Sequence, residues 1–448
     1  MKKYAFSAIS LFLFFVLGNA PPVVADEVTK WNETAGKRAF ESGLSNNPLF
    51  ESRVYAMTHA AIHDALNAIH RRSSPYVLYT HHTPHASPQV AVATAAYLVL
   101  SDQFQQLTAF GFPAQQAALE TAYNDSLQMI PNGVRKTRGI FIGRQAAQAI
   151  LALRFADGWN TQTVQDFNYP QGTVPGAYKF TPPFNFAFLP NWGTVTPFVL
   201  RDATQFRPGP PFAVTSLRYA IDLNEVKRLG GNGTTTPSER TAEQTEIALF
   251  WVESSPLQWN RIARTVAAAE RLSLWENARL FGLLNLAMAD GYIGSLDSKY
   301  HYNYWRPITA IREAATDGNP LTSADPTWTP LVDTPPVPDY DSGHSVEGGA
   351  ASQVLKQFFG TDRIRFSTCS TTLPAGQNCH EASPVLRSYR SFSEAAEENG
   401  LSRILVGFHF RKAVFEGIER GRKIGNRAVN HFLRPVNWWQ QVEGEGQN

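Results

Sequence analysis

The chain has 448 residues, of which 43% are hydrophobic, 17% charged and 12% aromatic, with a formal net charge of +2. That composition excludes an intrinsically disordered chain, and a charge so near zero gives no case for nucleic acid or an anionic membrane surface as partner. The length exceeds one simple core, but two helical bundles packed as one unit accommodate it.

Lys2 and Lys3, the apolar run from Ala5 to Leu17 and the small residues at Val23 and Ala25 predict a secretory signal peptide over residues 1–25, cleaved after Ala25. The run is too short to span a bilayer, and no later segment approaches ~20 uninterrupted apolar residues. The expected product is a mature protein without a membrane span, periplasmic or secreted. Loss of the two lysines takes its net charge from +2 to about zero.

Helical periodicity dominates the mature chain. Helices are predicted over Ser52 to His70, Gln89 to Gln106, Pro113 to Met129 and Val134 to Phe155. His59, His63, Asp64 and Asn67 share one helical flank and could be mistaken for a metal site; we read them as buried polar contacts that lock helix to helix. From Asp157 to Pro211 the period is lost among Pro, Gly and aromatic residues, which predicts an ordered irregular wrap. Residues 26–212 thus form an N-terminal half, and 213–448 a C-terminal half.

The second half is punctuated by helix signals. Thr236-Pro237-Ser238-Glu239 reads as a capping box opening a helix to about Val252, and Ser255-Pro256 opens the next. Leu274 to Ser295 is apolar nearly all round and predicts a central buried helix that delivers Lys299. Asp290 and Asp297, seven apart on it, either pair with nearby cations or serve as ordinary caps and surface charge. Lys299 and Arg306 are themselves seven apart, in Lys299-Tyr300-His301-Tyr302-Asn303-Tyr304-Trp305-Arg306-Pro307. Five prolines then keep Asp325 to Tyr340 out of regular helix. Ser342 reads as the N-cap of a helix that Gly343 and His344 open and Gly360 stops. A helix N-terminus favours an anion, and here a hydroxyl, a glycine and an imidazole gather at one. Cys369 and Cys379 are the two cysteines of the chain. In an oxidising compartment they are expected to pair; a zinc site is the weaker reading, because His380 alone does not complete a ligand set. The stretch Ser402-Arg403-Ile404-Leu405-Val406-Gly407-Phe408-His409 then buries an Arg and a His in an apolar run, and a last helix is predicted over Phe415 to Leu433. Buried charges need a partner, and three cations with two histidines point to one tetrahedral oxyanion. No sustained period-2 strands occur, so the predicted fold class is all-α.

In this order K-x6-R-P, S-G-H and S-R-x5-H resemble the signature of the type 2 phosphatidic acid phosphatase and vanadium-dependent haloperoxidase superfamily. The stretches Arg53 to Tyr76, Asn191 to Phe212, Tyr302 to Pro330 and Ser391 to Phe410 look like the bacterial haloperoxidase branch, so the resemblance covers nearly the whole mature chain. It implies two packed helical bundles around vanadate, with His409 bonding to vanadium, His344 as acid–base residue, and Lys299, Arg306, Ser342, Gly343 and Arg403 holding the oxyanion. The implied partners are hydrogen peroxide, a halide and a small organic acceptor, with a homodimer as candidate assembly. Two alternatives stay open: an acid phosphatase taking a phosphomonoester through a phosphohistidine at His409, and a non-catalytic helical binding protein. Three positions depart from the family pattern. Asp341 replaces a proline before Ser342. Ala413 replaces an Asp that orients the coordinating His, a role Asp290 or a backbone carbonyl would have to fill. Val337 stands where fungal chloroperoxidases carry Phe and algal bromoperoxidases His. Arg403 and His409 lie about 120° apart on an ideal helix and meet only if Gly407 bends the backbone or Arg403 reaches across.

Overall fold

The computed structural model describes residues 26–80 and 83–436, so the expected signal peptide lies outside the described residues. The chain enters helix α1 (Glu27–Glu41) at Asp26, whose carboxylate accepts from the Thr29 amide at 2.9 Å. Then come α2 (Pro48–Ile69), with Asn47 as cap and Pro48 in the first turn, α3 (Pro88–Leu107), α4 (Gln116–Gln128) and α5 (Val134–Leu153). Residues 154–216 are irregular apart from short turns and the two-residue antiparallel pair β1 (Gln165–Asp166) and β2 (Ala187–Phe188). Asp157 ties this wrap down from within, accepting from Arg53 and Arg154 at 2.9 Å each.

The helices resume with α6 (Leu217–Leu229), α7 (Ala242–Phe250), α8 (Ser255–Ala269) and the 29-residue α9 (Leu274–Tyr302), whose N-terminus is a Ser273–Glu276 capping box. After α10 (Pro307–Arg312) and the proline-rich loop come α11 (Gly343–Phe359), a hairpin of β3 (Phe366–Thr368) and β4 (Arg387–Tyr389), α12 (Phe392–Leu405) and α13 (Arg411–His431). The fold is all-α. One apolar core runs from Val28 to Leu433 and includes Trp31, Trp192, Trp251 and Trp259. A smaller cluster gathers Tyr219, Trp305, Trp328, Phe410 and Ala413.

Three helices, α1, α6 and α10, are not signalled by the sequence pattern because they are short or polar; α1, for instance, buries a stripe of Val28, Trp31, Ala35 and Ala39 in an otherwise polar sequence. The capping box expected at Thr236-Pro237-Ser238-Glu239 moves to Thr241, paired with Gln244. Arg240 decides this by bonding the carbonyls of Leu229, Gly231 and Leu405, which keeps 236–240 as a bridging loop.

The polar flank of α2 is a lock. Asp64 accepts from the amides of Tyr76, Val77 and Leu78 at 2.7–2.8 Å, His63 Nε2 meets Ser73 Oγ at 2.7 Å, and His59 Nε2 accepts from Asn32 at 2.8 Å. Among the described residues no group of three or more His, Cys, Asp or Glu could hold a metal ion. Asp290 on α9 does what Asp64 does on α2, taking the amides of Phe198, Val199 and Leu200 at 2.6–2.7 Å. Both carboxylates thus pin an irregular segment to a buried helix. No helix among the described residues is long and apolar enough to cross a membrane.

Cys369 and Cys379 form a disulfide across a sequence separation of 10. On loop entropy, reducing it should cost about 2–3 kcal/mol. Denaturant unfolding with and without reductant measures this; equal stability would show that the loop is held by its other contacts.

Candidate active site

Each charged group of the site is set by a short piece of local structure. Lys299 lies in the last turn of α9, and its ammonium donates to the carbonyls of Pro338 and Asp339 at 3.0 and 2.9 Å. Arg306 caps α10 and is anchored by Nε to the Val337 carbonyl at 2.7 Å and by NH1 to the Phe408 carbonyl at 2.8 Å. The prolines of the 325–340 loop leave these carbonyls free of helix bonds. Ser342 is the N-cap of α11, yet its hydroxyl caps nothing; it accepts from Ser345 Oγ at 2.9 Å, while its amide donates to the Ala413 carbonyl at 3.1 Å. That bond fastens the second motif to the helix that follows the third.

Arg403 lies in the last turn of α12, and its backbone carbonyl receives the amides of Phe408 and His409 at 3.0 and 3.2 Å. This closure needs a left-handed residue, and Gly407 supplies it at φ 88°. A Cβ there would lie 2.7 Å from the Gly230 carbonyl and 2.8 Å from Pro330, so any side chain would be excluded. The bend at Gly407 turns the nominal 120° between Arg403 and His409 into a shared site. On the other side, α13 lies so close to α11 that a Cβ on Gly421 would fall 2.1 Å from the Val346 carbonyl.

The result is a cluster of buried cations. Lys299, Arg306 and Arg403 are 1–3% exposed, and His409 is 4% exposed. Arg403 donates from NH1 to the Trp251 carbonyl at 2.8 Å, but its Nε has no partner. Burial, then Arg306, brings its guanidinium down to about 9. Lys299 is pushed well below its usual range, by burial first and then by Arg306. Burial, then Arg306, Lys299, Arg403 and His344, depresses His409, so these groups lie within electrostatic reach of one another. His344, half-buried in the first turn of α11, bonds through Nε2 to the Glu253 carbonyl at 3.3 Å and is depressed by burial and then Arg403. Gly343 has its backbone amide in the same turn, with Tyr292 and Ser295 packed 3.6 Å from where a Cβ would sit.

The acids near the motifs fall into place differently from expectation. Asp341, adjoining Ser342, pairs with Arg420 at 3.0 Å and is withdrawn from the cluster. Asp290 and Asp297 pair with none of the three cations: Asp290 is spent on the 198–200 amides, and Asp297 forms a two-point ion pair with Arg207 at 2.8 Å. Asp290 therefore does not orient His409, and neither does a backbone carbonyl. The acid on His409 is Asp339, whose Oδ1 lies 2.8 Å from Nδ1. Burial raises its carboxyl to about 7 while Arg306 and Lys299 pull it down. Sequence reasoning also missed Glu253, whose carbonyl meets His344 and whose carboxylate is gripped by Arg261 and by Thr371 inside the disulfide loop. For Asp339 a signal existed, an acid in a proline-fixed loop three residues before the serine; for Glu253 none did.

Titration gives a signed expectation. Burial keeps Glu51, fully inside the protein, protonated up to about 7, and Asp290 up to about 6. Unfolded carboxyls ionise lower, so stability from these groups declines as pH rises through their folded values. His59, His344 and His409 act oppositely: burial lowers them, so stability is lost as pH falls below about 6.5. Between about pH 4.5 and 7 the two sets oppose one another, the histidines adding stability as pH rises and the carboxyls removing it, so Glu51→Gln should make the melting temperature climb more steeply with pH across that window. Thermal scans through that window check this; an unchanged slope in Glu51→Gln would show that Glu51 does not titrate there.

Fold and site together define a helical protein with a buried cluster of cations and histidines. A family model described as the VCPO second helical-bundle domain matches residues 279–438. The vanadium chloroperoxidase of Curvularia inaequalis is 24% identical, over 82% of this chain and 75% of its own. The crystal structure of a bacterial vanadium-dependent iodoperoxidase superposes with a TM-score of 0.74 and 26% identity, covering 92% of this chain and 97% of that one. An apo-type bacterial vanadium-dependent chloroperoxidase shares the fold at a TM-score of 0.65 and 14% identity, over 84% and 92% of the two chains. The chain is thus similar to vanadium haloperoxidases in fold over most of its length, and in its family model over residues 279–438.

Proposed function

We propose that this chain is an exported vanadium-dependent haloperoxidase-like enzyme that oxidises a halide with hydrogen peroxide at vanadate anchored on His409. The observation that carries the reading is the unbalanced charge of the site. Lys299, Arg306 and Arg403 are buried with Asp339 as the acid among them, because Asp341 is committed to Arg420. Buried cations without matching anions are costly, and a tetrahedral oxyanion relieves all three at once. Arg403 Nε, a buried donor without a partner among the described residues, supports the same reading. The residues present therefore fit vanadate, which when bound supplies a Lewis-acidic centre that activates peroxide toward a halide.

The chain's own groups would do the rest. Lys299 and the two arginines supply fixed positive charge that is already oriented by carbonyls, so little reorganisation opposes charge development. The Ser342 hydroxyl and the Gly343 amide would add hydrogen bonds from the head of α11. His409 would anchor through Nε2. His344 carries its proton on Nε2, because the Glu253 carbonyl can only accept; its Nδ1 is left to take up or return a proton.

The deciding experiment reconstitutes the protein with vanadate and follows halide-dependent bromination of a dye, beside phosphomonoester hydrolysis by the apoprotein. Oxidation that requires vanadate, peroxide and halide together is expected. Hydrolysis without halide oxidation would assign the scaffold to an acid phosphatase. Anion binding with neither reaction would make it a binding protein.

A further inference from the structure

We propose that Asp339 is the positioning residue for His409, fixing its tautomer and ring plane from the loop that precedes α11. This rests on the reading of His409 as anchor, and it deepens that reading by naming what keeps Nε2 available.

Asp339 Oδ1 lies 2.8 Å from His409 Nδ1, and a carboxylate can only accept, which puts the ring proton on Nδ1 and leaves Nε2 with its bare lone pair. Arg306 NH1 stands 2.9 Å from Nε2 and 3.4 Å from Nδ1, close to both nitrogens at once, so it lies over the face of the ring and off the Nε2 lone-pair axis. Among the described residues no other side-chain acceptor bonds the ring: its partners are Arg306 and Asp339.

Asp339 is itself held on both sides. Its amide donates to the Tyr304 carbonyl at 2.9 Å, and its carbonyl accepts from Lys299 at 2.9 Å. The same residue thus grips the lysine through its backbone and the histidine through its side chain. Next to it Ala413 is 1% exposed and lines a small cavity together with Asp339, Tyr304 and Phe410. A methyl there offers the imidazole nothing, so orientation has to come from the loop. A ligating histidine whose second nitrogen has no partner loses basicity and tautomer control, commonly ~10–100-fold in affinity.

The test has two readouts. Nitrogen NMR of histidine-labelled wild-type apoprotein, with His409 assigned by its absence in His409→Ala, should show Nδ1 protonated and Nε2 bare. Vanadate and phosphate affinities are then measured by thermal shift in wild type, Asp339→Asn and Asp339→Leu. The carboxamide oxygen of asparagine can still accept from Nδ1, so Asp339→Asn should stay within a few-fold of wild type. The near-isosteric leucine cannot accept, and should weaken vanadate by ~10–100-fold and bring the Nε2–H form into the spectrum. Wild type carrying its proton on Nε2, or Asp339→Leu binding vanadate like wild type, would overturn the proposal. If wild type shows the Nδ1–H form yet binds no vanadate, the functional reading fails while the positioning role stands.

Discussion

His409→Ala is expected to lose vanadate binding and all peroxidase activity together, whereas His344→Ala should still bind and turn over ~10²–10⁴-fold more slowly. The asymmetry follows from the neighbours of the two rings. His409 has Nδ1 engaged by Asp339, which leaves its Nε2 lone pair for the proposed anchor role. His344 is tied to a main-chain carbonyl through Nε2 and is otherwise free to exchange a proton at Nδ1. Burial and then Arg403 disfavour its imidazolium, and a bound oxyanion would offset this by placing negative charge nearby. The pH profile of bromide oxidation should therefore have a limb that vanishes in His344→Ala. Binding lost in His344→Ala but kept in His409→Ala would exchange the two roles. Wild-type binding and turnover in both variants would move the site elsewhere.

The second large effect concerns Arg403. Vanadate or phosphate at about a hundred times its dissociation constant stabilises a protein by about 2.7 kcal/mol, and that rise in melting temperature should disappear in Arg403→Met. Arg403 has one direct hydrogen bond and one idle donor, so more of it is reserved for a ligand than of Arg306, which has two backbone carbonyls and His409. The apoprotein carries the reverse expectation. Replacing a buried charge that lacks a counter-ion by an apolar chain of similar volume is commonly neutral or stabilising. The Arg403→Met apoprotein should accordingly melt at or above the wild-type temperature, while Arg306→Ala should melt lower because it abandons the Val337 and Phe408 carbonyls. An undiminished anion response in Arg403→Met would remove this residue from the cage.

Much of the fold is legible in the amino-acid sequence. The apolar period of Leu274 to Ser295 locates the central helix, although α9 runs on to Tyr302 and so carries Lys299 as a helical residue. Ser342, Gly343 and Gly360 mark both ends of α11 correctly. Helices with few apolar positions, such as α1 and α6, escape because their periodicity is diluted by polar residues. The Thr236 capping pattern misleads because Arg240 satisfies three carbonyls that lie far apart in sequence, which no local rule contains.

What the sequence determined by itself was the inventory and its local geometry: which residues carry charge in apolar surroundings, where helices begin, and that Gly407 is where a bend can occur. Tertiary structure alone decided which acid faces which cation. Asp290, Asp297, Asp339 and Asp341 are chemically equivalent in the sequence, yet they end on three backbone amides, on Arg207, on His409 and on Arg420. The physical reason is that a buried carboxylate must be matched in place by donors, and the donors available are set by packing between segments many residues apart. Helix propensity and capping act over a few residues and can be read along the chain. Charge compensation acts through space, and it leaves Lys299, Arg306 and Arg403 within electrostatic reach of one another with Asp339 turned toward the histidine.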